Sequence, residues 1–229
     1  FRRVLFRSVF FSEFSPEANQ GIFWRIPRRF ANSLIRVMLH LRHGLEVRGL
    51  ENLQGGGPFI FTPNHCSHFD LLSIAGSLPY GMVHHTFAVA AKDYFFSNPF
   101  FTFFSQHCLG AIPVDRKDRK GEAINLILRL LKELDRIWLI IFPEGTRSPD
   151  RKVHEFKRGV SLFSERSGTP ILFLYLEGNA KLWPKGAKWA RPGKLVIHVG
   201  PVHPPGPIEN VYSEYKKWVS GINASAFGE

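Results

Sequence analysis

Between Phe59 and Val199 the chain alternates short apolar runs with segments of helical period, and this alternation restricts the fold more than any other feature. The strand candidates are Phe59 to Phe61, Thr86 to Ala90, Ala111 to Val114, Ile137 to Phe142, Ile171 to Leu176 and Leu195 to Val199. Helical patterns fall between them at Leu71 to Ser77, Asp93 to Gln106, Lys120 to Asp135 and Lys157 to Ser167, and Asn210 to Ile222 closes the chain. Strands separated by helices need crossover connections, so the expected fold class is α/β: a single domain with a central, largely parallel sheet flanked by helices. Gly55-Gly56-Gly57-Pro58 breaks the chain just before the first strand. No repeat or low-complexity linker divides it.

The expected organisation is an N-terminal segment at 9–27, one main domain at 28–224 and a short tail at 225–229. Residues Phe1 to Ser8 read as the translation of a common short-read sequencing adapter and are set aside from fold reasoning. Removing Arg2, Arg3 and Arg7 takes the formal net charge from +11 to +8, so the basic character survives. A basic chain seeks anions: nucleic acid, an anionic membrane or a phosphorylated substrate. Its 22 phenylalanines favour the membrane, because nucleic-acid binders interleave their cations with exposed Tyr, Gly and polar groups. Nucleic acid is therefore not expected as a partner. Cys66 and Cys108 are the only cysteines, which suits a reducing compartment and supplies no zinc pattern.

No stretch reaches the ~18 to 20 apolar residues of a spanning helix. The expectation is a peripheral protein on the cytoplasmic face of a membrane, in a bacterium the inner membrane. Two segments bear on this. From Arg28 to Leu45, Phe30, Leu34, Val37, Met38, Leu41 and Leu45 recur at helical spacing, with Arg29, Ser33, Arg36, His40 and His43 on the opposite face. Such a helix either packs on the core or lies on lipid. Phe95 to Phe104 carries phenylalanine on every face of any regular helix, so some rings should face lipid, line a tunnel for an apolar chain, or be covered by the N-terminal region.

The chemistry concentrates in two strings, Asn64-His65-Cys66-Ser67-His68-Phe69-Asp70 and Phe142-Pro143-Glu144-Gly145-Thr146-Arg147-Ser148. An imidazole titrates near pH ~6.5 and can hold a proton transiently, which makes His65 a candidate base. Asp70 can orient its other nitrogen. On one continuous helix the two would stand about 140° apart, so they meet only if His65 lies in a loop and Asp70 in the first helical turn. Alternatives for this string are a metal site at His65, His68 and Asp70, a nucleophile at Ser67 or Cys66, and a capping loop. No fourth metal ligand and no Gly-x-Ser-x-Gly elbow accompany it. The second string puts an acid, a glycine and an arginine on a turn after an apolar strand, a pattern suited to an anion.

Together these strings resemble the glycerolipid acyltransferase family, the PlsC-like enzymes that acylate lysophosphatidic acid. The Asn-His-x-Ser-x-x-Asp block is complete from Asn64 to Asp70. Gly110, Ile112, Val114, Asp115 and Arg116 match a second block, and Phe142 to Ser148 match a third at every position. In the fourth block Pro170 keeps the first proline while Phe173 stands where a second is expected, a departure that touches the shape of the acyl pocket.

The resemblance covers roughly Arg42 to Pro204. It implies transfer of a fatty acyl group from acyl-CoA or acyl carrier protein to the 2-hydroxyl of 1-acylglycerol 3-phosphate. His65 and Asp70 would be catalytic. Asn64, Ser67, Arg116, Glu144, Gly145, Thr146, Arg147 and Lys157 would be the substrate-binding set, with Arg116 and Arg147 clamping phosphate. Lys92 and Arg158 are further cations that could equally be solvated surface charges. Glu144 is out of place beside an anion and is expected to orient Arg116, Arg147 or a glycerol hydroxyl. No metal or organic cofactor is implied, because the thioester is already activated. A different lysolipid acceptor, or a non-catalytic lipid-binding module, are the alternatives; retention of His65 and Asp70 disfavours the module.

Overall fold

The computed structural model describes residues 22–53, 57–91, 102, 104–114, 121–184 and 186–228. Seven strands form one sheet: β1 (Glu46–Arg48), β2 (Phe59–Pro63), β3 (Thr86–Ala91), β4 (Ala111–Val114), β5 (Trp138–Ile140), β6 (Ile171–Glu177) and β7 (Val196–His203). Their spatial order is β1-β7-β6-β2-β5-β3-β4. All neighbours run parallel except β6 and β7, which are antiparallel with an irregularity between Leu172 and Leu174. The helices are α1 (Ile22–His43), α2 (Phe69–Ser77), α3 (Glu122–Glu133), α4 (Gly159–Ser167), the short α5 (Asn179–Leu182) and α6 (Ile208–Ile222). The expected mostly parallel α/β sheet is present. The short edge strand β1 was not anticipated, and β7 runs four residues beyond Val199.

Alternating residues of the strands feed two cores. Ile60, Leu139, Ile171, Phe173 and Tyr175 face a layer built by α3, α4 and α6, through Ile127, Leu130, Val160, Phe163, Val211 and Tyr215. Phe59, Phe61, Trp138, Ile140, Leu172 and Leu174 face the other layer, where α1 and α2 contribute Ile35, Leu39, Phe69 and Ile74. Strands this apolar on both faces are those of a covered parallel sheet. Phe173 is packed edge-on to Tyr215 and stacked near Trp218, so its ring belongs to the α6 layer.

Helix α1 separates the two readings of its apolar stripe. Apart from Leu45, which is buried beyond the end of the helix, the stripe does not pack on the described body: Phe30 is 72 % exposed, Leu34 61 % and Leu41 84 %, with Ile26 and Val37 alongside. The helix docks through its other side, where Ile35 and Leu39 are buried together with Arg28, Asn32 and His43. Arg28 donates to the Thr86 carbonyl, Asn32 to the Ala75 carbonyl, and Arg36 to the carbonyls of Gly76 (2.9 Å) and Leu78. Three of these acceptors belong to the C-terminal turn of α2 and its cap, whose carbonyls have no partner within that helix. The physical reason the stripe faces outward is therefore a set of free carbonyls that long polar side chains can reach. Of the basic residues opposite the stripe, Arg36 and His43 point inward, whereas Arg29 and His40 remain exposed.

Among the described residues no helix is long and apolar enough to cross a membrane. Of the Phe-rich segment, Phe95 to Phe101 and Phe103 lie outside the described residues. Phe104 opens a π-helical turn, Phe104–Cys108, that leads into β4.

Candidate active site

Strand β2 is central, with β5 on one side and β6 on the other. The segments leaving the C-terminal ends of these three strands converge, which is where an open α/β sheet offers a crevice for a ligand. Residues after β2 supply His65 and Asp70, those after β5 supply Glu144 to Ser148, and those after β6 supply Asn179.

His65 sits in the loop and Asp70 in the first turn of α2, the arrangement that the spacing required. His65 Nδ1 and Asp70 Oδ2 are 2.9 Å apart. Asp70 is fully buried, while the His65 side chain keeps 22 % of its surface open. The same Oδ2 accepts the backbone N–H groups of Cys66 (2.7 Å) and Ser67 (2.8 Å), so the carboxylate closes the loop back on itself. Because Asp70 accepts at Nδ1, the ring carries its proton there and Nε2 is left to accept one. The imidazole lies against Phe142, ring centroids 4.0 Å apart.

The second string holds the first. Glu144 Oε1 accepts from the His65 backbone N–H (2.7 Å), and the His65 carbonyl accepts from the Ser148 N–H (2.7 Å). The backbone of the base residue is thus held on both sides, at its own N–H and its own carbonyl. Glu144 Oε2 accepts from the His154 N–H (3.3 Å). Among the described residues, backbone amides rather than Arg147 are the partners of Glu144; Arg116, the other expected arginine, lies outside them. Burial pushes its carboxyl up to about 8, against the two amide donors that favour the ionised form.

The other residues of the set divide by exposure. Asn64 is buried and completes the end of β6, its Oδ1 accepting from Leu176 N (2.7 Å) and its Nδ2 donating to Leu176 O (3.3 Å). Ser67 is buried, its hydroxyl donating to Trp183 O (2.7 Å) and accepting from Phe69 N (3.0 Å). Gly145, Thr146 and Lys157 are exposed and Arg147 is half-buried. Gly145 has φ +70°, and a Cβ there would come within 2.8 Å of Lys157 Nζ, so glycine lets the ammonium lie directly over the turn. Arg147 Nη1 stands 2.6 Å from His68 Nδ1 and 2.7 Å from Nε2. Burial first, then Arg147, holds the His68 ring below its ordinary value. Arg158 is exposed; Lys92, Asp115 and Arg116 lie outside the described residues.

A nucleophilic Cys66 is disfavoured, since burial pushes its thiol up and the Asp70 and Glu144 carboxyls add to the effect. Ser67 has its hydroxyl engaged with Trp183 and no contact with His65. Two residues that the motifs do not name complete the site. Asn179 donates to Asp70 Oδ1 (3.0 Å), and Trp183 packs on both His68 and Phe69. The only sequence signal for Asn179 is its position, a polar residue behind Gly178 at the C-terminal end of a strand neighbouring the central one.

A family model described as Acyltransferase matches residues 44–176, more than half of the chain. The 1-acyl-sn-glycerol-3-phosphate acyltransferase of Pseudomonas aeruginosa is 30 % identical over 203 residues, covering 84 % of this chain and 73 % of that protein. The chloroplastic 1-acyl-sn-glycerol-3-phosphate acyltransferase BAT2 of Brassica napus is 24 % identical over 174 residues, and there the chain spans about half the relative's length, 48 %. The fold is shared with the 1-acyl-sn-glycerophosphate (LPA) acyltransferase PlsC of Thermotoga maritima. Its crystal structure aligns with a TM-score of 0.70 at 24 % identity, over 90 % of this chain and 81 % of that one.

Proposed function

The chain belongs to the acyltransferase family, and from that premise we propose that it moves a fatty acyl group from a thioester, acyl-CoA or acyl carrier protein, to the 2-hydroxyl of 1-acylglycerol 3-phosphate. The observation that carries this is the 2.9 Å contact between His65 Nδ1 and the buried Asp70, with the imidazole still open on its other side. His65 Nε2 takes the proton of the acceptor hydroxyl as its oxygen attacks the thioester carbonyl. Asp70 holds the Nδ1 proton and stabilises the imidazolium. When the tetrahedral intermediate collapses, the C–S bond breaks and His65 returns the proton to the departing thiol. The new ester is phosphatidic acid.

For the acceptor phosphate, the exposed Gly145-Thr146 turn with Lys157 above it and Arg147 beside it is the best-supported cradle, joined by Arg116 on the family resemblance. Asn64, Ser67 and Glu144 are assigned instead to building the loop that holds His65. The chemistry needs only the activated thioester and these side chains.

The exposed stripe of α1 supports peripheral attachment to a membrane, from which a lysolipid acceptor is drawn. The loop between β6 and β7 supports an anionic one: Trp189 is 84 % exposed there among Lys181, Lys188, Arg191 and Lys194. Two free cysteines suit the cytoplasmic face.

The test is thiol release from acyl-CoA and acyl carrier protein with a panel of lysolipids. His65→Ala should keep the fold and lose roughly 10² to 10⁴-fold in turnover. Near-normal turnover by folded His65→Ala protein would end the proposed mechanism. A panel in which a phosphate-free monoacylglycerol is used as well as 1-acylglycerol 3-phosphate would move the assignment to another acceptor.

A further inference from the structure

We propose that Asn179 is a positioning residue for the acid–base pair: its side-chain amide holds the Asp70 oxygen that the His65 loop does not reach, and through Asp70 it fixes the imidazole. This rests on the assignment of His65 and Asp70 as the proton-transfer pair.

The hydrogen bonds to Asp70 are divided between its two oxygens. Oδ2 takes the imidazole and the backbone amides of Cys66 and Ser67. Among the described residues, Oδ1 has the Asn179 Nδ2 donor at 3.0 Å and, beyond it, only the Cys66 thiol at 4.0 Å. The second amide hydrogen of Asn179 goes to Ser73 Oγ at 2.9 Å, and Ser73 in turn donates to the Asp70 carbonyl at 3.0 Å. Asn179 and Ser73 are both fully buried. Two acceptors therefore fix the amide nitrogen toward Asp70, because a flipped amide would set its carbonyl against a carboxylate. The Asn179 carbonyl oxygen pays for this by being buried with no hydrogen-bond partner among the described residues. A packing role would be met without that penalty by leucine, which is of similar size and has no polar atoms. What distinguishes asparagine here is the donor.

The backbone delivers it deliberately. Gly178 has φ +90°, and a Cβ at that position would fall 2.3 Å from the Lys194 carbonyl oxygen, so only glycine can make the turn. The turn carries the chain off the end of β6 and sets Asn179 over α2, 109 residues away in sequence from Asp70.

With the donor gone, Oδ1 is left under-bonded. The carboxylate stays anchored at Oδ2 by the Cys66 and Ser67 amides, but its plane is less firmly set, which costs imidazole alignment, and its less dispersed charge holds the imidazolium proton more strongly. Both changes act on proton transfer and neither acts on substrate binding. Asn179→Leu is therefore expected to lower kcat by roughly ten- to hundredfold, the worth of a hydrogen bond to a charged group. KM for 1-acylglycerol 3-phosphate should move by less than about threefold. The acid limb of the kcat/KM profile should shift to higher pH by about half a unit to one unit.

Ser73→Ala removes one hydroxyl, loosens the amide without deleting it, and should shift the limb in the same direction with a smaller loss of kcat. It decides the matter should Asn179→Leu fail to fold. The experiment is thiol release by the full chain across a pH series, with circular dichroism on every variant and His65→Ala as control. An unmoved acid limb in the folded variants, whether kcat is normal or reduced, overturns the proposal and leaves Asn179 a packing residue. Near-normal turnover in folded His65→Ala would bring down the assignment of His65 as the base on which this inference rests, whereas an impaired His65→Ala beside an Asn179→Leu with normal kcat and an unmoved limb sinks this inference alone.

Discussion

Helices α1 and α3 both carry apolar residues at helical spacing along one side and charge along the other. In α3, Ala123, Ile127, Leu130 and Leu131 are buried against the sheet, and Glu122, Arg129, Lys132 and Glu133 face solvent. In α1, Phe30, Leu34, Val37 and Leu41 face outward, and the helix is held by Arg28, Asn32 and Arg36 through carbonyls of the body. The difference teaches that an amphipathic pattern specifies a non-aqueous contact without specifying which one. For α3 the contact is the protein's own core. For α1 it lies outside the chain's described residues, and a bilayer surface fits a stripe bordered by Arg29, His40 and Arg42.

The sharpest way to break this comparison is to measure binding to vesicles. Replacing Phe30, Leu34 and Leu41 together by Ser should reduce salt-resistant co-sedimentation with anionic vesicles by roughly a thousandfold or more, at about 1.5 to 3 kcal/mol for each side chain that enters lipid. Arg29→Glu should affect only the salt-sensitive part. Undiminished binding by the serine variant would move the attachment to the Trp189 loop or the Phe-rich segment.

A stability measurement comes next. In urea, without lipid, Ile127→Ala in α3 should destabilise the protein by about 2 to 5 kcal/mol, as buried isoleucines do. Leu34→Ala in α1 should stay within about 0.5 kcal/mol, because its side chain meets water before and after unfolding. Equal losses at the two positions would show that the α1 stripe is packed in solution.

The same contrast explains what could be read from residues alone. The α/β alternation and most strands were legible because apolar runs bounded by Gly, Pro and polar clusters are local signals. The outward turn of α1 was not, since its cause is a set of carbonyls at Ala75, Gly76, Leu78 and Thr86, and no periodicity reports a hydrogen bond to a distant carbonyl. The antiparallel course of β7 was equally hidden, because strand direction is set by pairing with β6 and leaves no mark on hydropathy. At the site, the approach of His65 to Asp70 followed from a short motif and a geometric requirement. The roles of Glu144 and Asn179 did not. Glu144 was expected to serve a cation or a hydroxyl, yet its carboxyl meets backbone N–H groups, which every residue type but proline carries and no sequence pattern can single out.

The smallest effect concerns the inner face of α1. Arg36 donates from Nε to the Gly76 carbonyl and from Nη2 to the Leu78 carbonyl, and its guanidinium lies 4.4 Å over the Tyr80 ring. A cation at the C-terminal end of α2 also complements that helix's dipole. Arg36→Ala should therefore cost about 1.5 to 3 kcal/mol of stability, visible as a lower urea midpoint. Turnover should change by less than about threefold, because Asp70 at the opposite end of α2 is held by the His65 loop and Asn179, and effects at separate sites add independently. Arg36→Lys should recover only part of the stability, since an ammonium cannot span two carbonyls as a planar fork does. A collapse of kcat in a folded Arg36→Ala protein would mean that α1 steers the acid–base pair through α2. The two sides of α1 would then be one device, lipid contact on the outside acting on proton transfer within.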